Sequence, residues 1–130
     1  VYNSNPTAAK QVLKTVAEMP VEGRRIAVLG DMLELGEASA RLHASLAAQI
    51  DPDKIQEVYL VGEQMAALKT RLTEDGYPAA AIHYYQADQL DQLSEDLQAT
   101  LTASDIVLLK ASHGIHLEKV LDAIEKKQND

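Results

Sequence analysis

The chain has 130 residues, with 12 Lys and Arg against 20 Asp and Glu, a formal net charge of −8 with its four histidines neutral, and no cysteine. A disulfide scaffold and a thiolate zinc site are excluded, and an acidic chain without a basic stripe argues against binding the phosphate backbone of nucleic acid. No uncharged apolar run reaches the roughly 18 residues of a membrane span and no signal-peptide layout opens the chain; the expectation is one cytoplasmic domain over 1–130, able to bury roughly 65–70% of its unfolded surface.

In chain order, Asn5-Pro6 marks a helix start, because the Asn side chain accepts an orphan backbone N–H and a first-turn Pro loses nothing by lacking its own. Ala8, Ala9, Val12, Leu13, Val16 and Ala17 recur on one 3.6-residue face. They predict a helix to about residue 19 that Pro20 and Gly23 close. Ile26-Ala27-Val28-Leu29 changes the period: a short unbroken apolar run is the pattern of a strand buried on both faces. The alternation repeats, with helices expected over 39–50, 63–74, 88–101 and 115–127 and strands over 57–61, 81–85 and 106–109. The Gln- and Asp-rich stretch 86–98 reads as the solvated face of a helix.

Strands alternating with helices imply a Rossmann-like, doubly wound α/β domain with a mainly parallel sheet covered on both faces. In the common winding the spatial order is third, second, first, fourth, and it reverses between the first strand and the fourth. Ligands of open α/β sheets bind beyond the carboxyl ends of the strands at such a reversal. Two segments are expected to meet there: Gly30-Asp31-Met32-Leu33-Glu34-Leu35-Gly36 and Lys110-Ala111-Ser112-His113-Gly114.

In the first segment Asp31 and Glu34 offer carboxylates to a ribose, a cation or a basic group of a neighbouring domain, although a Gly-Asp turn after a strand also occurs without function. Gly30 and Gly36 bracket five residues, which is not the three-glycine dinucleotide fingerprint. In the second segment Lys110 is expected to emerge beyond four buried apolar residues, where a cation suits carboxylate or phosphate. Ser112 offers a hydroxyl, and backbone donors near Gly114 at the start of the last helix add an anion-friendly dipole; the plainer alternative is that Ser112 only caps that helix. His113 and His116 lie three apart but have no third ligand, so no metal site is assigned. His43 reaches this end if its helix begins near the loop after the first strand; otherwise it is a satisfied core residue. Without a nucleophile elbow, a P-loop or a His-Glu-x-x-His motif, no catalytic residue is assigned to this chain alone.

Three phrases together carry a resemblance: Tyr2-Asn3-Ser4-Asn5-Pro6, the run from Arg25 through Gly30-Asp31-Met32-Leu33-Glu34-Leu35-Gly36 to Glu37, and Val107-Leu108-Leu109-Lys110-Ala111-Ser112-His113-Gly114. In order and spacing they resemble the C-terminal domain of the Mur ligases, with Leu42-His43 following the second phrase as in that family. The resemblance implies one domain of a three-domain cytoplasmic enzyme of peptidoglycan precursor synthesis. Its N-terminal and central domains would be this domain's partners, and the central one would carry the P-loop and most ligands of Mg2+. Its substrates would be ATP, UDP-N-acetylmuramoyl-tripeptide and D-Ala-D-Ala, joined through an acyl phosphate.

Carried onto matching positions, the resemblance implies that Asn3, Asn5 and Asp31 lie on the nucleotide and hinge side, with Glu34 and His43 as further candidates. Lys110, Ser112, His113 and Gly114 would lie on the side receiving D-Ala-D-Ala, orienting its carboxylate. His113 departs from the Arg often found in the phrase and Ala111 from the usual Gly; a histidine, largely uncharged at neutral pH, weakens an ion pair. The family's hinge phrase begins with an Asp two positions before the Tyr, whereas Val1 is the first residue here, and the chain alone is expected to be inert. The competing readings are a stand-alone flavodoxin-like or receiver-like binding module, with Asp31 as phosphoacceptor, and a non-catalytic interaction domain with acidic helices.

Overall fold

The structure, a computed structural model, describes residues 5–112 and 115–129. Among these residues five α-helices, α1 (Pro6–Ala17), α2 (Ser39–Ala44), α3 (Ala66–Glu74), α4 (Leu90–Thr100) and α5 (Glu118–Asn129), accompany four strands, β1 (Arg25–Gly30), β2 (Glu57–Val61), β3 (Ile82–Tyr85) and β4 (Ile106–Lys110). The strands pair in parallel in the order β3-β2-β1-β4, the expected winding, which reverses between β1 and β4.

Each central strand divides its side chains between two cores, because successive residues point to opposite faces. Ala27 and Leu29 of β1 and Val58 and Leu60 of β2 pack with Ala9 and Leu13 of α1, Leu46 and Ile50, and Leu68 and Leu72 of α3. Ile26, Val28, Tyr59 and Val61 face Leu93 and Leu97 of α4 and Val120 and Ile124 of α5. Helices therefore cover both faces, as a parallel sheet requires.

At the start of α1 the Asn5 Oδ1 accepts the Ala8 N–H at 2.9 Å, the predicted cap. Asn5→Ala is expected to lower stability by about 1 kcal/mol, read as a lower urea midpoint at unchanged slope. At the other end of this helix the Arg25 guanidinium Nε donates to the Met19 carbonyl at 2.9 Å. Thus α1 runs back along the sheet and its Asn5 end lies toward the carboxyl ends of the strands.

The structure corrects three expectations. The second predicted helix is α-helical only to Ala44 and then tightens into a 3₁₀ stretch over Ser45–Gln49, and 3₁₀ turns open the segments leading into α3 and α4. β4 is an edge strand with one neighbour, so its residues are half-buried rather than buried, and Lys110 belongs to it, paired with Leu29, rather than lying beyond it. The last helix begins at Glu118, not near residue 115. Ahead of it the Ile115 N–H donates to the Ser112 carbonyl and the Leu117 N–H to the Ile115 carbonyl, bonds of short turns, while Ile115 and Leu117 pack into the second core. Ser112 therefore does not stand at a helix N-terminus, and the helix dipole assigned to this segment is withdrawn.

Candidate site at the carboxyl ends of the strands

A run of backbone hydrogen bonds crosses the sheet beyond the strand ends. The Ser112 N–H donates to the Asp31 carbonyl at 3.1 Å, the Asp31 N–H to Val61 at 3.0 Å, and the Gly62 N–H to Tyr85 at 2.8 Å. The Tyr84 hydroxyl donates to the Gly62 carbonyl at 2.9 Å. The two sequence segments singled out at the winding reversal are thus bonded to each other directly. A Cβ on Gly30 would stand 2.7 Å from the Ala111 Cβ, so glycine is what lets the chain after β4 cross so close to β1.

Asp31 is buried and turned inward. Its Oδ2 accepts the Gln64 N–H at 3.2 Å and its Oδ1 the Met65 N–H at 3.0 Å. These donors belong to the turn that opens α3, where the Met65 N–H is shared with the Gly62 carbonyl at 3.2 Å, and they are capped here from the end of another strand. Burial pushes the carboxyl above its ordinary range, against the pull of those two N–H donors. Gly62 makes the approach possible: its φ is +110, and a Cβ there would fall on the Asp31 carboxylate. Gly62 and the amides of 64 and 65 are not singled out by the sequence; the only signal is a Gly directly after the second predicted strand.

His43 is fully buried. Its Nε2 accepts the Met32 N–H at 2.9 Å, and its Nδ1 lies 2.8 Å from the Ser39 carbonyl oxygen. With both nitrogens occupied it has no lone pair for a metal or substrate: it does reach the loop after β1, since α2 begins at Ser39, but as a buried and satisfied side chain. Between these anchors the loop carries Glu34 at φ +62 and Gly36 at φ +60, the former an unusual conformation for a residue with a side chain. Glu34 and Leu33 are exposed, over a cavity of about 190 Å³ lined also by Met32, Leu35, Gly36, Ser39 and Gln64.

On the other side of the reversal, Lys110 is half-buried and shares its strand face with Leu108, the face toward α1. Ser112 is 1% exposed, and its Oγ has no hydrogen-bond partner among the described residues. Asn5, Asp31, Glu34, Lys110 and Ser112 therefore lie at one end of the sheet, while Asn3, His113 and Gly114 lie outside the described residues. His116 bonds through Nδ1 with the Glu118 Oε1 at 2.9 Å. Among the described residues no three His, Asp or Glu side chains gather as a metal-holding group, and no helix is long and apolar enough to cross a membrane.

The family described as "Mur ligase, glutamate ligase domain" matches residues 1–113. The UDP-N-acetylmuramoyl-tripeptide--D-alanyl-D-alanine ligase of Bacillus subtilis is 32% identical over 125 residues, covering 95% of this chain and 27% of the relative. The enzyme of that name from Escherichia coli is 28% identical over 127 residues, 96% of this chain and 26% of its own. Among solved structures, the MurF ligase of Thermotoga maritima in complex with ADP superposes with a TM-score of 0.75 at 26% identity, over 99% of this chain and 27% of that one. MurF from Acinetobacter baumannii gives a TM-score of 0.69 at 26% identity, over 96% and 27%. The chain spans about a quarter of the length of the curated relatives it matches. With the fold, the three phrases and the strand-end loops all in agreement, the chain belongs to the Mur ligase family.

Proposed function

We propose that this chain is the C-terminal domain of a three-domain cytoplasmic ligase that joins D-Ala-D-Ala to UDP-N-acetylmuramoyl-tripeptide at the expense of ATP. The observation that carries the reading is the direct bonding of the Asp31 loop, part of one of the two most specific phrases, to the Lys110-Ala111-Ser112 segment at the winding reversal. The stand-alone binding module and the interaction domain lose their footing. The whole described sheet is matched by ligases, and the Asp31 carboxylate is engaged by backbone amides rather than offered as a phosphoacceptor.

In the proposed reaction the tripeptide carboxylate takes the γ-phosphoryl group of ATP and ADP leaves, the dipeptide amine attacks the acyl phosphate, and the tetrahedral adduct loses a proton and collapses to amide and phosphate. Charge neutralisation on the phosphates would come from Mg2+ held mainly by residues of the central domain. Such chemistry asks for positioning, charge stabilisation and exclusion of water rather than a protein nucleophile, which suits a domain that closes over the others. Lys110 provides the cation for the dipeptide carboxylate and Ser112 a hydroxyl beside it, with His113 and Gly114 completing that side. Asn3, Asn5 and Asp31 serve the nucleotide and hinge side, Asp31 by fixing the wall made by the start of α3.

Lys110→Ala in the full-length ligase is expected to raise the KM for D-Ala-D-Ala about tenfold or more, the worth of one charge-assisted hydrogen bond, with kcat and the KM for ATP little changed. Phosphate release against dipeptide concentration measures it. An unchanged dipeptide KM removes Lys110 from the site and leaves the ligase reading in place.

A further inference from the structure

The hydrogen bonds around the Met32–Gly36 cavity close into a ring. The Met32 N–H donates to His43 Nε2 at 2.9 Å, the His43 Nδ1–H donates to the Ser39 carbonyl at 2.8 Å, the Ser39 hydroxyl donates to Gln64 Oε1 at 2.8 Å, and the Gln64 N–H donates to Asp31 Oδ2 at 3.2 Å. The Asp31-Met32 peptide bond completes it. A backbone amide can only donate, so Nε2 must hold a lone pair and the proton of a neutral imidazole must sit on Nδ1. Nδ1 also lies 3.2 Å from the Ser39 hydroxyl oxygen, which can accept because its own proton is directed at Gln64. Every donor and acceptor in the ring then has one consistent assignment.

We infer that His43 is a positioning residue of the ligase: as the Nδ1–H tautomer it fixes Met32 and thereby the Asp31–Gly36 loop on the nucleotide side of the site. The loop needs such a clamp because it holds Glu34 and Gly36 at positive φ with Leu33 and Glu34 in solvent, an arrangement that is strained at the non-glycine position and persists only when its surroundings determine it. Asp31 supplies one anchor through α3, and His43, through α2, supplies the other. The role of the loop rests on the function proposed above; the ring itself does not.

Two measurements test it. In the 15N spectrum of the 130-residue chain, His43 should show a protonated Nδ1 and an unprotonated Nε2 with a through-hydrogen-bond coupling to the Met32 amide nitrogen. A protonated Nε2, or no coupling, overturns the ring. In the full-length ligase, His43→Leu should raise the KM for ATP roughly tenfold or more, the scale of effect produced when a small displacement spoils alignment, while the KM for D-Ala-D-Ala stays put. His43→Gln, whose Oε1 accepts the Met32 N–H, should bring the ATP value back to within a few-fold of the wild type. A purely structural histidine would instead reduce the amount of folded enzyme and leave both KM values unchanged, and that result, or equal rises in both, overturns the positioning role. Absence of dipeptide-dependent turnover in the wild type overturns the ligase reading alone, with the nitrogen coupling still deciding the ring.

Discussion

Gly62→Ala is expected to destabilise the folded chain by about 2–6 kcal/mol. Two costs combine. The residue sits at φ +110 and ψ +158, a region essentially reserved for glycine, where an L side chain is penalised by roughly 1–3 kcal/mol. Its new methyl group would also fall on the Asp31 carboxylate, driving it off the Gln64 and Met65 amides and costing the buried carboxylate those hydrogen bonds, about 1–3 kcal/mol. Gly76 is the internal control, since its φ is +88 but no atom lies within 4 Å of where a Cβ would stand. Gly76→Ala should therefore show only the backbone penalty. Urea unfolding compares the two variants: a larger loss in Gly62→Ala is the expected result, and equal losses would remove the contact with Asp31 from the account.

At the opposite end of the sheet, Asp105→Asn is expected to cost about 2 kcal/mol near neutral pH, and the cost should vanish in acid. The Asp105 side chain is almost fully buried and accepts from the Arg24 N–H at 2.8 Å, the Arg24 guanidinium at 2.9 Å and the Thr102 N–H at 2.9 Å. Burial pushes the carboxyl up, but the Arg24 guanidinium and the two backbone donors outweigh it and hold it at about 2, against 3.8 for the ordinary group. A carboxyl held below its unfolded value contributes stability that is complete above the unfolded value and is lost as pH falls through the folded one. Unfolding curves for wild type and Asp105→Asn should therefore lie apart above about pH 5 and converge toward about pH 2. Parallel curves across that range would contradict the assignment. Asp31 acts with the opposite sign: its raised value means that proton uptake favours the folded form as pH falls, which partly offsets the loss from Asp105 in the wild type and in the variant alike.

The sheet order was legible because the alternation of apolar runs with 3.6-period segments leaves few ways to wind a parallel sheet. The start of α5 was not. Leu117, Val120, Leu121 and Ile124 carry helical spacing, yet Leu117, with Ile115 before it, enters the second core from turns before the helix begins. Lys110 was located at the correct end of the sheet, but nothing in four consecutive apolar residues distinguishes an edge strand from a central one. The inward turn of Asp31 and the burial of His43 were hidden for a shared reason. Both are partnered by backbone amides, at Gln64 and Met65 and at Met32, and an amide has no identity in a sequence. Side-chain chemistry told where a site should be; the bonds that shape it depend on which amides the fold leaves unpaired.

The most direct measurement is phosphate release by the full-length ligase with ATP, Mg2+ and UDP-N-acetylmuramoyl-tripeptide as D-Ala-D-Ala is titrated, run beside the isolated 130-residue chain. Release that saturates with dipeptide, requires the tripeptide and is absent from the isolated chain is the predicted result. Release from the full-length protein that ignores the dipeptide would contradict the proposed activity, and dipeptide-dependent release by the isolated chain would contradict its standing as one part of a larger catalytic unit.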